Sequence, residues 1–161
     1  MSPRLFAAPA MLVSVALAAS SPAAETTASY GQQLAQVYGT YQSVLANKEA
    51  CGDGVPNTRG AIDTSYKTWH ARNVRTIAEL DERLTRMMRG ASKDDKEYAR
   101  NIGKYEGAML QQRNEAKQAL LGRPREELEA LCKALPDLLA SKESDLEMLY
   151  ADELKSIRSR R

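Results

Sequence analysis

One histidine and two cysteines are all the imidazole and thiol chemistry in this chain. That excludes zinc ribbons, zinc fingers, iron–sulfur sites and c-type haem attachment, which need denser ligand sets. His70 would have to serve any Ser-His-acid arrangement, with Ser65 or another hydroxyl beside it. No Gly-x-Ser-x-Gly elbow is present to expose such a nucleophile. Asp53-Gly54 and Asp94-Asp95-Lys96-Glu97 lack the spacing of a calcium loop. They read instead as turn residues and as first-turn acids favoured by a helix dipole. Neither a metal nor a cofactor is predicted. Glu106, beside Tyr105 and between Gly103 and Gly107, is the one acid to inspect as a groove residue, with an exposed helix residue as the favoured alternative. Together with His70 in one pocket it would make a small-ligand or hydrolase site.

A second constellation is suited to binding rather than reaction. Ala71-Arg72-Asn73-Val74 and Ala99-Arg100-Asn101-Ile102 repeat a short pattern. With Trp69 and Tyr98 they assemble a candidate partner-binding patch of Trp69, Arg72, Asn73, Tyr98, Arg100 and Asn101, because Trp, Tyr and Arg dominate interface hot spots. The structural alternative makes Asn73, which falls beside an apolar stripe, a buried hydrogen-bonding residue that fixes helix register.

These side chains sit on a chain of 161 residues with 23 Lys and Arg against 21 Asp and Glu. A net charge of +2 does not point to nucleic acid. Residues 1–24 read as a cleaved secretory signal peptide: Arg4 supplies the charged start, and Leu5 to Ala19 an apolar run interrupted by Pro9 and Ser14. The run is shorter than the roughly 20 apolar residues of a spanning helix, so no transmembrane anchor is predicted. Small residues offer cleavage at Ala16-Leu17-Ala18 or at Ser21-Pro22-Ala23, and the polar sequence after them favours the second. Export places the protein in a periplasm or outside the cell. In such a compartment Cys51 and Cys132 are predicted to pair. Their loop of some 80 residues corresponds to about 4 kcal/mol in the chain-entropy account.

Residues 25–161 form a single predicted domain, and period 3.6 dominates it. Tyr30, Leu34, Val37, Tyr38, Tyr41, Val44 and Leu45 make one stripe between Thr27 and Lys48, with Thr26 or Thr27 as cap. Cys51 to Gly60 is rich in turn formers and reads as a loop. A second helix is predicted from Ala61 to Arg89, with Gly90 as a left-handed cap. Ser92 and Asp95 would open a third, striped by Tyr98, Ile102, Tyr105, Met109, Gln112, Ala116 and Leu120. Gly122 and Pro124 punctuate the next junction, and Pro136 should kink or restart the fourth segment. The fold class is therefore all-α: an up-and-down bundle of about four long helices. Its last helix is bent or broken near Pro136, and one disulfide staples it. The expected layout has Cys51 just past the first helix, and the two helices from Ala61 to Leu121 between the bridged elements. Gly103 and Gly107, four apart, each cost roughly 1 kcal/mol of helix propensity and so imply close approach of a neighbouring backbone or partner.

These features predict a non-enzymatic exported protein-binding module: an inhibitor, an immunity-type protector or an accessory subunit of another envelope or secreted protein. A small-ligand binder or hydrolase around Glu106, and an envelope chaperone with an exposed apolar concave face, are the alternatives.

Overall fold

A computed structural model of the protein describes residues 22–160. The predicted signal segment lies outside the described residues, except that Pro22 to Ala24 open the first helix. Among the described residues there are helices and no strands, and one disulfide. The long helices are α1 (Pro22–Gly54), α2 (Arg59–Gly90), α3 (Asp95–Leu121) and α4 (Arg125–Ala140). The short α5 (Leu146–Leu149) and α6 (Ala151–Ser159) come after them, with 3-10 turns at Pro56–Thr58 and Lys142–Ser144. None of these helices is long and apolar enough to cross a membrane.

The chain forms an up-and-down bundle in which α4, α5 and α6 together make the fourth column. Lys48 pairs with Asp63 across the α1–α2 turn, so these two helices are antiparallel. Lys117 meets Asp53 and Arg113 faces Glu49, so α3 runs parallel to α1. Leu34, Val37, Ile62, Trp69, Leu80, Leu84, Leu128, Cys132, Leu135, Leu139, Leu146, Leu154 and Ile157 are buried in one core. They come from α1, α2 and the fourth column. No residue of α3 is fully buried. The helix packs chiefly on α1 and little on α2, so α1 and α2 are the central pair, not α2 and α3 as the sequence implies.

Tertiary packing also moves several predicted boundaries. α1 begins before Thr26 and Thr27, and runs through Cys51-Gly52-Asp53-Gly54, where the turn formers predict a loop. The glycines weaken a helix in isolation, yet Ala50 and Cys51 are wholly buried here. The Arg59 guanidinium donates to the Gly52 carbonyl at 2.6 Å, supplying a partner that a helix C-terminus otherwise lacks. Gly54 is required by contact: a Cβ there would lie 2.6 Å from Leu128 Cδ2 and 3.1 Å from Leu121 Cδ2. Cys51 thus sits in the last turn of α1, and its bond to Cys132 joins α1 directly to α4.

At the α2–α3 junction no glycine adopts a positive φ, and the cap residue is Ala91. The Ser92 hydroxyl donates to the Met88 carbonyl at 2.7 Å, satisfying an end that a left-handed Gly90 would have closed. The capping box of α3 is two residues later than predicted. Asp94 accepts from the Glu97 amide and Glu97 accepts from the Lys93 amide, each at 2.7 Å. In the fourth column, α4 continues past Pro136, and the break comes at Ser141. Within α4, Leu139 is buried and Leu138 exposed; beyond the break, Leu146, Leu154 and Ile157 are buried while Leu149 faces solvent.

Candidate functional site

A groove of about 340 Å³ opens where α1, α2 and α3 meet. Tyr38 comes from α1; Asp81, Leu84 and Met88 from α2; Tyr98, Ile102, Tyr105, Glu106, Met109, Leu110 and Arg113 from α3. The opening has its origin in the stripes. On α1 and α3 the positions that would close this seam carry Tyr38 and Tyr105, whose hydroxyls must reach a partner or water, so the seam stays wet where leucines would have sealed it. The two rings lie 6.4 Å apart, centroid to centroid.

The groove is electrically unbalanced. Neither Asp81 nor Glu106 has an ion-pair partner among the described residues. Burial, then the Asp81 charge, pushes the Tyr38 hydroxyl above its ordinary pKa, and the Glu106 charge adds to it. Burial likewise raises Tyr105, followed by Tyr38 and Asp81. Arg113, the cation in the lining, is turned to Glu49; its buried Nε lies 3.6 Å from that carboxylate, beyond hydrogen-bonding reach. At the far end the Arg89 guanidinium covers the Tyr98 ring at 3.9 Å and pairs with Asp95. Arg89 itself is not part of the groove lining, so this cation–π contact caps Tyr98 from outside the groove.

A second opening, of about 200 Å³, contrasts with the first. Its charged lining is cross-linked: Lys48 to Asp63 at 2.8 Å, Lys117 to Asp53 at 2.6 Å, and Arg59 to Asp53 at 3.9 Å. Lys117 and Lys48 hold Asp53 and Asp63 below the usual carboxylate range. These charges are spent on the fold.

The predicted binding patch does not form one surface. Trp69 and Asn73 are buried. The indole Nε1 donates to the Ser144 carbonyl at 2.9 Å, and the ring stacks near Tyr41 and Tyr66. Asn73 donates to the Trp69 carbonyl at 2.8 Å and accepts from the Leu146 amide at 2.7 Å. It fixes the start of α5 against α2, as its structural alternative requires. Arg72 donates to the carbonyls of Leu139 and Ser141 at 2.8 and 3.1 Å, and its Nε to Asp145 at 2.9 Å, clamping the C-terminus of α4. The repeated Ala-Arg-Asn pattern thus plays unequal parts. On α3, Arg100 is exposed, and Asn101 donates to the Ser92 hydroxyl at 3.0 Å.

His70 and Glu106 are not brought together either. Glu106 lines the groove, whereas His70 sits among Tyr66 and Tyr41, with centroids 5.7 and 6.3 Å away, outside the groove lining. Burial is also the main cause that raises Tyr66, followed by its hydrogen bond with Tyr41. No group of three or more His, Cys, Asp or Glu side chains that could hold a metal gathers among the described residues. Asp81, Tyr38 and Tyr105 are groove residues that motif and spacing do not single out as site members. The signal that could have found them is tyrosine in the stripes of both facing helices.

The chain matches no protein-family model, no curated protein and no solved structure.

Proposed function

We propose that this protein is an exported, non-enzymatic helical binding module that docks on another envelope or secreted protein, as an inhibitor, an immunity-type protector or an accessory subunit. One observation carries the reading: Asp81 and Glu106, neither in an ion pair among the described residues, line an open groove beside exposed apolar surface, whereas Asp53, Asp63 and Lys117 of the second opening are paired. Unneutralised charge beside exposed apolar surface is what a polar-rimmed interface leaves on a free monomer. Leu110, at 49% exposure, extends that surface outward along α3. Export is supported by the apolar N-terminal segment and by the disulfide, which belongs to an oxidising compartment. Separation of His70 from Glu106 weighs against the hydrolase alternative. The spread of exposed Val74, Leu110, Leu138, Met148 and Leu149 over four helices gives a chaperone reading less support.

The test is affinity recovery from envelope extract with the wild-type protein and with Gly107→Trp, which places bulk beside Leu110 on α3. A stoichiometric partner retained by the first and lost by the second is expected. A partner held equally by both, or a saturable small ligand and no protein, would overturn the proposal.

A further inference from the structure

The lining of the groove restricts what can occupy it, a restriction that rests on the docking function proposed above. Its lining combines two chemistries. Leu84, Met88, Met109 and Leu110 supply apolar surface, whereas Asp81 and Glu106 supply two carboxylates without a counter-ion among the described residues. A ligand matched to both has an aliphatic stem and a cationic head, which is the chemistry of a lysine or arginine side chain. The Tyr38 and Tyr105 rings in the same lining favour a cation further.

The ground beside the groove distinguishes a side chain carried by a helix from a free amine. On α3, Gly103 and Gly107 fall on the same helical face as Leu110, adjoining Glu106. A Cβ built at either glycine meets nothing within 4 Å. These glycines therefore do not serve packing inside the monomer, and they leave a smooth strip along which a second helix can lie close. Free amines have no use for such a strip, whereas a helix whose apolar face covers it can drop a basic side chain into the groove.

We infer that the α1–α2–α3 groove and the Gly103–Gly107 strip together receive an amphipathic basic helix of a partner protein, one of its lysines or arginines seated between Asp81 and Glu106. The occupant is chosen by charge complementarity and by the extent of the open strip. Methionine fits the apolar part, because its flexible thioether adapts to whichever side chain enters.

The disulfide-bonded protein, carrying ¹³C-methyl methionine, tests this directly by NMR. Met88 and Met109 report on the groove, and Met148, exposed on α5, reports on a remote surface. Three probes are titrated: a helical Leu/Lys peptide, the same peptide with its lysines acetylated, and 1,5-diaminopentane. The expected result is saturable shifts of Met88 and Met109 with the Leu/Lys peptide alone. Asp81→Asn and Glu106→Gln should each weaken that binding about fivefold. Gly107→Leu should abolish it while raising the melting temperature, since leucine favours helix and meets open space. Equal binding of the acetylated peptide overturns charge recognition and leaves groove docking standing. Equal binding of the diamine overturns the helix as occupant. Shifts confined to Met148, or no shift with any probe, overturn this inference, while the docking function stands or falls separately by the affinity recovery.

Discussion

The two flanks of α2 are built to different standards. Toward the fourth column, α2 is stitched to its neighbours along its length: Trp69 to Ser144, Arg72 to Leu139 and Asp145, Asn73 to Leu146, and Thr76 to Glu147. Further on, Glu79 accepts from Arg158, and Arg83 donates to the carbonyls of Ile157 and Arg160. Toward α3 there is a groove, two unpaired carboxylates and no fully buried residue on the facing helix. Stability and recognition are divided between the flanks. The polar groups that α2 turns toward the fourth column are satisfied within the fold, whereas the groove side keeps two carboxylates outside any ion pair among the described residues.

Truncation should separate the flanks most strongly. Trp69→Ala removes a wholly buried indole and should cost about 4 kcal/mol in urea unfolding, whereas Tyr105→Ala, at the edge of an open groove, should cost about 1 kcal/mol. Similar losses at the two sites would erase the distinction. Next in size is the disulfide, which ties α1 to α4 and closes a loop that contains α2 and α3. Reduction should lower stability by about 3 kcal/mol, and an unchanged melting temperature would show that Cys51–Cys132 stabilises nothing.

Asn73→Ala leaves the buried Leu146 amide without its acceptor and should cost about 2 kcal/mol. Its sequence counterpart on α3, Asn101→Ala, should cost less than about 0.5 kcal/mol. Equal effects of the two asparagines, measured by chemical denaturation, would contradict their unequal roles. A smaller effect is expected from acid. The Arg158 guanidinium, assisted by Thr76, holds Glu147 down to about 2, below its ordinary 4.5. Because the folded-state value is the lower one, the stabilisation is complete above pH 4.5 and is lost as pH falls through 2. With Glu147 part exposed, it amounts to about 1 kcal/mol after solvent screening. Denaturation midpoints for wild type and Glu147→Gln should converge across that window; parallel curves would refute the assignment.

The smallest expected change is on the groove. Asp81→Asn and Glu106→Gln should each alter stability by less than about 0.5 kcal/mol, since neither carboxylate is paired within the fold. A marked loss of stability in either variant would reassign these acids to structural duty and remove the contrast between the flanks.

The amino-acid sequence alone determined the all-helical class, the four-column bundle, the stripes of α1 and α2, and the Cys51–Cys132 pair. These depend on local periodicity and on an even cysteine count, both of which are written along the chain. Asn73 as a buried hydrogen-bonding residue was legible as the structural alternative, through its position beside a stripe. Tertiary structure decided what needed a neighbour. It carried α1 through Cys51 to Gly54 because α4 and Arg59 supply packing and a carbonyl partner there. It placed α3 chiefly on α1, packed Trp69 and Arg72 against the fourth column, and left Asp81 and Glu106 lining one groove. Helical period specifies which face of a helix is apolar. Which helix that face meets, and whether the contact closes, is settled only when all four columns compete for the same core.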